Sequence, residues 1–122
     1  MSLHFKAIFL GVITDLLLSL VVGPIVLALF GVGENSPYLY HWSLVLGLVA
    51  VIAGGYVTSW KSLSSKLFNT TVFGVIEIVI GLTFVLFIAM PLWFNIASLV
   101  LMVPASLLGA YIALPKYRGS NT

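Results

Sequence analysis

The stretch that decides the fold is LFNTTVFGVIEIVIGLTFVLFIAM, residues 67–90, an apolar run of helical length with one acid, Glu77, near its middle. A helix of this length rises about 36 Å, which is enough to cross a hydrocarbon core of roughly 30 Å. A charged side chain at the centre of such a helix costs about 2.5–3.5 kcal/mol on insertion scales. We therefore expect the fold to shelter Glu77 from lipid.

The composition of the whole chain points the same way. Of its 122 residues, 61% are hydrophobic and 7% are charged, and a soluble domain of this size could not bury so much apolar surface. The formal net charge of +2 is too small for a nucleic-acid footprint. The chain has no cysteine, which excludes disulfides and cysteine-based metal sites. The sequence predicts an all-α integral membrane protein.

Three further apolar stretches are long enough to span a bilayer. Together the four predict a single membrane domain, residues 1–122, with transmembrane helices near residues 7–30, 42–60, 67–90 and 92–114. The turn Met90-Pro91-Leu92 is so tight that the third and fourth helices should be antiparallel neighbours in a four-helix bundle. Pro24 removes a backbone hydrogen bond and should kink the outer third of the first helix.

The basic residues assign the two ends of this bundle to the two sides of the membrane. In a four-span topology all five fall on one side: Lys6, Lys61, Lys66, Lys116 and Arg118. The positive-inside rule then predicts a cell (inner or plasma) membrane protein with cytoplasmic N- and C-termini. The aromatic residues of segment 38–42 lie on the other side, and such clusters are typical of the headgroup level.

Two acids lie inside the predicted spans, Asp15 in the first and Glu77 in the third. They follow Lys6 and Lys66 by nine and eleven residues, which is about 13.5 and 16.5 Å along their helices. Both depths are near the membrane midplane, and no Lys or Arg lies inside the spans as a partner. Two carboxyls in contact would share a proton at neutral pH, and such a pair can bind a proton or a cation.

The same acids also have a purely structural interpretation. A protonated carboxyl can bond to a hydroxyl or a backbone carbonyl and hold two helices together, an interaction of about 0.6 kcal/mol on average. The candidate site, for a proton, a cation or polar packing, comprises Asp15, Glu77, Thr14, Ser19 and Thr70. We predict no catalytic, cofactor-binding or metal site and no enzyme, because no nucleophile with a matching base and no phosphate or zinc motif is present.

Small residues recur at helical spacing and predict close contacts between helices. The first helix, for example, carries Gly11, Asp15, Ser19 and Gly23 at every fourth position. The expected helix-packing residues are Gly11, Gly23, Gly47, Gly54, Gly55, Gly74, Gly81, Ala105 and Gly109.

The segment Ala53-Gly54-Gly55-Tyr56-Val57, followed by Lys61, resembles a segment of small, uncharacterised four-span bacterial membrane proteins. In length, number of spans and the acid of the first helix, the chain also resembles the small multidrug resistance transporters in architecture. It differs from them in its basic residues, which all lie on one side, and in its first-helix acid, which is Asp15 and not Glu. Both resemblances concern architecture and imply no activity.

Two classes of function fit these observations. We expect a non-catalytic subunit or scaffold of a membrane assembly whose buried carboxyls specify helix packing, because so short a chain leaves little room for a translocation path. The alternative is a small oligomeric proton- or cation-coupled transporter or channel that uses Asp15 and Glu77. The expected surroundings are a lipid bilayer and either a homo-oligomer or a partner membrane protein, without nucleic acid. The two classes differ in whether the acids line a cavity or are enclosed by apolar side chains.

Overall fold

A computed structural model of the chain describes residues 3–33, 36–62, 65–88 and 90–113. Within these ranges the secondary structure is entirely helical. The elements are α1 (Phe5–Leu17), a π-helical segment (Leu18–Val22), α2 (Gly23–Leu29), α3 (Leu39–Lys61), α4 (Lys66–Phe87) and α5 (Leu92–Ala113). The first three are continuous, so the chain forms four long helices, each long and apolar enough to cross a membrane. The predicted all-α chain with four such helices is confirmed.

The observed helix ends differ from the predicted ones by a few residues. The first helix begins at Phe5 and not at residue 7, and α3 begins at Leu39 and not at residue 42. At the other end of the predicted third span, Ile88 has extended backbone angles (φ −124°, ψ 124°) and ends α4 at Phe87. Helices usually end before a proline, and Pro91 follows three residues later.

The predicted kink at Pro24 takes the form of a change in helix type. The π-helical segment immediately precedes α2, and Pro24 lies in the first turn of α2. Because proline has no N–H to donate to the carbonyl four residues back, the regular ladder is broken there, and the wider π turn carries the chain to it. Beyond the π segment, α2 packs against α3, and most of its side chains are exposed.

Consecutive long helices run antiparallel, which defines two ends of the bundle. The lysine end carries Lys6, Lys61 and Lys66, and the distal end carries residues 30–33, 36–38, 88, 90 and 91. All three basic residues that the structure describes therefore lie at one end, whereas Lys116 and Arg118 lie outside the described residues. Helix α3 packs most extensively against α5 and next against α1, and α4 packs mainly against α5.

The apolar core lies in the lysine-end half of the bundle. Phe73 is fully buried at its centre, in one cluster with Ile8, Val51 and Ala105. Its ring lies against Gly54, where a Cβ would stand 2.5 Å from the ring atom Cζ. The ring and the glycine therefore fit each other, and a larger residue in place of Gly54 would displace Phe73.

Three glycines allow helix backbones to approach closely in the same half. A Cβ on Gly55 would lie 2.2 Å from the carbonyl oxygen of Ser106, and a Cβ on Gly109 would lie 2.0 Å from that of Ile52. A Cβ on Gly11 would lie 2.7 Å from a backbone oxygen of α3. Because the obstructing atoms are mostly backbone atoms, a side chain here would force the helices apart.

The other predicted packing glycines have different surroundings. Gly74 and Gly81 face side chains of α5. Gly47, in contrast, has no atom within 4 Å of the place where a Cβ would be, and Gly23 meets only a carbonyl of its own chain segment at Leu18. Gly47 and Gly23 thus do not lie at close helix crossings, in contrast to the expectation from their spacing.

At the distal end, aromatic rings connect the starts of α3 and α5. The ring of His41 lies 4.8 Å from that of Trp93, and the ring of Tyr40 lies 5.4 Å from that of Phe94, measured between centroids. Tyr38 packs edge-on against His41. These contacts hold together the end of the bundle where the predicted aromatic cluster lies.

Candidate functional site

The structure places Asp15 of α1 next to Glu77 of α4, in the interior of the bundle. Their carboxyl groups interact with each other, and only 5% and 2% of their surfaces are exposed. Two interacting carboxyls repel each other when both are ionised, which favours a state in which they share one proton and carry one negative charge. Each acid thus provides the other with a polar partner in apolar surroundings.

Ser19 is the third member of this cluster. Its Oγ donates a hydrogen bond to Oδ1 of Asp15 over 3.3 Å. Ser19 lies in the π-helical segment, and π turns inside α-helices frequently mark functional sites.

Thr14 and Thr70 are not brought into the cluster, although the sequence analysis had included them. The hydroxyl of Thr14 donates to the carbonyl oxygen of Leu10, and that of Thr70 donates to the carbonyl oxygen of Lys66. Both bonds run to the residue four positions earlier in the helix, which is the usual way for a helical threonine to satisfy its hydroxyl. The cluster is therefore Asp15, Glu77 and Ser19.

One oxygen of this cluster lacks a hydrogen bond. Oε1 of Glu77 is buried and has no hydrogen-bond partner among the described residues. Oδ1 of Asn95 is in the same condition. Buried polar atoms are nearly always bonded, and leaving one unsatisfied costs about 1–3 kcal/mol. Both atoms are hydrogen-bond acceptors, so a molecule that carries a donor could satisfy either of them.

The carboxyl pair lies in the wall of a cavity of about 340 Å³ to which all four long helices contribute. Leucine, isoleucine, valine, methionine and phenylalanine side chains form most of the wall. Besides the two acids, the polar side chains that line it are Ser19, Ser43, Asn95 and Ser98. Asn95 lies in the outer part of the fourth predicted span, where the sequence suggests a hydrogen-bonded packing residue, yet its Oδ1 has no partner among the described residues.

The cavity extends from the carboxyl pair toward the distal end. Gly81, one helical turn beyond Glu77, faces Met102 of α5. Asn95 precedes Met102 by seven residues, which is roughly 10 Å along the helix. The cavity therefore has polar groups at two levels, the acids near the middle of the bundle and Asn95 near its distal end.

Two residues of the cavity wall also lie on the surface of the bundle. Leu20 and Ile88 both line the cavity, and 60% and 49% of their surfaces are exposed. Leu20 belongs to the π-helical segment, after which α2 packs along α3. The cavity wall therefore includes residues of the first helix and of the end of α4 that face outward.

The lysine end is closed by polar contacts that the sequence analysis did not foresee. Lys66 is buried, and its Nζ donates to the carbonyl oxygens of Ser59, at 3.0 Å, and Ser62. Oδ1 of Asn69 accepts a hydrogen bond from the backbone N–H of His4 over 2.7 Å, which ties the start of α1 to α4. The sequence signal for the Lys66 contacts was a basic residue shortly after the end of α3, because cations can bind the last carbonyl oxygens of a helix.

These features define a chain of four long apolar helices with a pair of internal carboxyls beside a cavity. No protein family matches the chain, and no curated protein or solved structure is significantly similar to it. Among the described residues, no group of three or more His, Asp or Glu side chains is arranged to hold a metal ion. The carboxyl pair and its cavity are thus the features from which a function is inferred.

Proposed function

We propose that the chain is a multi-pass protein of the cell membrane (inner or plasma membrane), with the lysine end and both termini in the cytoplasm. The four long apolar helices support this proposal. Large apolar side chains such as Phe87, which is 82% exposed, point outward, and lipid would cover them. The positions of Lys6, Lys61 and Lys66 at one end support the orientation.

We further propose that the carboxyl pair binds a proton or a cation in a small transporter or channel. The observation that carries this proposal is that Asp15 and Glu77 line a cavity. Intramembrane acids that face a cavity are typical of ion and proton pathways, and a pair that serves only helix packing has no need of one. This ranks transport above the scaffold role that the sequence favoured.

The geometry supports access to the pair from the distal half of the bundle. The cavity extends from the carboxyls toward the distal end, whereas the buried Phe73 and the Lys66 contacts lie on the side of the lysine end. In the proposed cycle, the pair exchanges its shared proton, or a cation in its place, through the cavity. Passage to the cytoplasm would require the lysine end to open, and a second copy of the chain is the simplest partner for such a movement.

A non-catalytic subunit or scaffold is the second candidate. It is favoured by the contact between Asp15 and Glu77, which already gives each acid a polar partner on another helix. In this case an amide in place of either acid would preserve the contact and the fold. The two candidates therefore differ in what Asp15→Asn and Glu77→Gln do to titration.

The test is an infrared titration of the carboxyl stretch of the full chain in liposomes between about pH 5 and pH 9. We expect a pH-dependent signal that Asp15→Asn and Glu77→Gln each abolish and that the acid-preserving variants Asp15→Glu and Glu77→Asp retain. Glu34→Gln, which changes the third acid of the chain, is the matched control. Identical spectra for the parent and both amide variants would overturn the transport proposal in favour of packing.

A further inference from the structure

The cavity has a mostly apolar wall that also contains buried acceptor atoms without hydrogen-bond donors. Oε1 of Glu77 and Oδ1 of Asn95 are the buried acceptors without partners in the described part of the wall. The aromatic rings of Phe84 and Phe94 line the same space. A ligand that fits this wall needs an apolar body, a positive charge and a hydrogen-bond donor.

We propose that the cavity binds a small organic ammonium ion that has an apolar body and carries at least one N–H bond. This inference rests on the proposed function, because it names the ligand class of the same carboxyl site. The ammonium group lies at the carboxyl pair, and the apolar body lies against the leucine, valine and phenylalanine side chains toward the distal end.

The carboxyl pair accounts for both the charge and the N–H bond. A pair that shares one proton keeps one negative charge, which a monovalent cation neutralises. An N–H donor would also satisfy Oε1 of Glu77, and charge-assisted hydrogen bonds of this kind are about twice as strong as neutral ones. A quaternary ammonium ion has the charge but no N–H, so it would leave this oxygen unbonded.

The apolar wall favours an organic cation over a metal ion. Small metal cations that bind oxygen require several oxygen ligands in place of their water, whereas the described residues contain no cluster of three acidic or histidine side chains. An organic ammonium ion loses apolar surface to the wall when it binds. The rings of Phe84 and Phe94 add cation–π attraction if the charge lies within about 6 Å of them.

The size and the rim of the cavity set the size of the ligand and its route. Ligand cavities commonly measure about 300–1,000 Å³, and this one, at about 340 Å³, suits a molecule with a single ring or a short alkyl chain. Leu20 and Ile88 line the cavity and are also exposed on the surface of the bundle, where lipid would lie. An amphiphilic amine that has partitioned into the bilayer can therefore enter without crossing the distal end.

The test compares three probes of nearly the same shape on the full chain in liposomes: 2-phenylethylamine, its N,N,N-trimethyl derivative and 2-phenylethanol. Binding is measured by equilibrium dialysis, corrected for partitioning into protein-free liposomes. We expect the amine to bind at least about tenfold more tightly than either analogue, a difference of about 1.4 kcal/mol. Equal binding of the amine and the trimethyl derivative, or of the amine and the alcohol, would overturn the inference.

Variants locate the site. Glu77→Gln should lose the preference for the amine, and Gly47→Leu should lose binding, because Gly47 lines the cavity and has open space beside it. Ser98→Leu fills the cavity from α5 and replaces Gly47→Leu if that variant does not fold. Thr71→Ala, an exposed position of α4 outside the cavity, is the matched control and should bind as the parent does.

The infrared titration separates this inference from the proposed function. A carboxyl signal that depends on Asp15 and Glu77, together with no binding of the amine, would overturn the ligand assignment and leave the proton site intact. If the titration signal is also absent, both proposals fall.

Discussion

The lysine-end half and the distal half of the bundle consist of the same four helices but pack in opposite ways. In the lysine-end half, helix backbones touch at Gly55 and Gly109, and polar side chains are buried without exposed surface. In the distal half, Gly47 lies beside open space, a cavity separates the helices, and the side chains of α2 are largely exposed. The carboxyl pair lies where the two halves meet.

This difference shows how a short chain can combine a tightly packed lysine-end half with an accessible site. Close backbone contact leaves little freedom for helices to move relative to one another. The loosely packed half can admit a ligand or rearrange, because fewer contacts must break there. Along the first helix, the change from close packing to loose packing occurs at the π-helical segment after Asp15.

The largest effect that we predict comes from a substitution that disrupts the close contact of helices α3 and α5 in the lysine-end half. Gly109→Ala places a Cβ 2.0 Å from the carbonyl oxygen of Ile52 and 2.7 Å from the backbone nitrogen of Tyr56, so α3 and α5 must separate. We expect the free energy of unfolding to fall by about 3 kcal/mol, at the upper end of overpacking effects. It is measured by detergent-induced unfolding followed by circular dichroism.

Gly47→Ala is the matched control, because the same change is made where no atom lies within 4 Å. It should leave the stability unchanged or raise it by up to about 1 kcal/mol, since alanine is the better helix former. Equal losses of stability in the two variants would contradict the difference in packing between the two halves.

The second prediction concerns the polar closure of the lysine end. Lys66→Met removes the ammonium donor from the buried carbonyl oxygens of Ser59 and Ser62. We expect a loss of about 2 kcal/mol in the free energy of unfolding, because hydrogen bonds to charged groups contribute about 1.5–3 kcal/mol. Faster amide exchange in the last turn of α3 should accompany it.

The control for this variant is Lys6→Met, which removes the same charge at the same end from an exposed position. Its stability should change by less than about 0.5 kcal/mol. Equal losses in the two variants would show that net charge, and not the contacts of Lys66, stabilises this end.

The parts of the fold that were predictable are those that depend on local sequence. The four long helices follow from the length and hydropathy of each stretch, whatever it packs against. Asp15 and Glu77 were likewise recognisable, because an acid in an apolar helix is costly in any arrangement. That the two acids meet was only a hypothesis, because nothing in either helix alone specifies which way it faces.

The remaining features depend on how the helices are rotated and joined. Gly47 and Gly55 are the same residue type on the same helix, yet only Gly55 meets another backbone. Thr14 precedes Asp15 directly, but its hydroxyl bonds within α1, whereas Ser19 reaches the carboxyl across a π turn. The burial of Lys66 depends on the turn before α4, in which Ser65 has a left-handed conformation. None of these is visible in residue type or spacing.

The third prediction sharpens the comparison at the start of the first helix. Asn69→Ala removes the acceptor of the His4 backbone N–H and the amide that donates to the Ser65 carbonyl. We expect a loss of about 1 kcal/mol in the free energy of unfolding, the usual contribution of a hydrogen bond, and faster exchange of the His4 amide. Thr71→Ala, an exposed position two residues later, should change neither. Unchanged His4 exchange in Asn69→Ala would contradict the proposed tie between α1 and α4.

The smallest effect on stability that we predict lies at the boundary between the halves. Ser19→Ala removes a hydrogen bond to Asp15 that is long, at 3.3 Å, and interhelical or local polar contacts in membranes average only about 0.6 kcal/mol. The free energy of unfolding should therefore fall by about 0.5 kcal/mol. The infrared carboxyl signal should nevertheless move, because the carboxyl of Asp15 no longer accepts the hydrogen bond from Ser19. Ser43→Ala, which changes another cavity serine, controls for a general change in the cavity, and an equal spectral shift in both variants would remove Ser19 from the site.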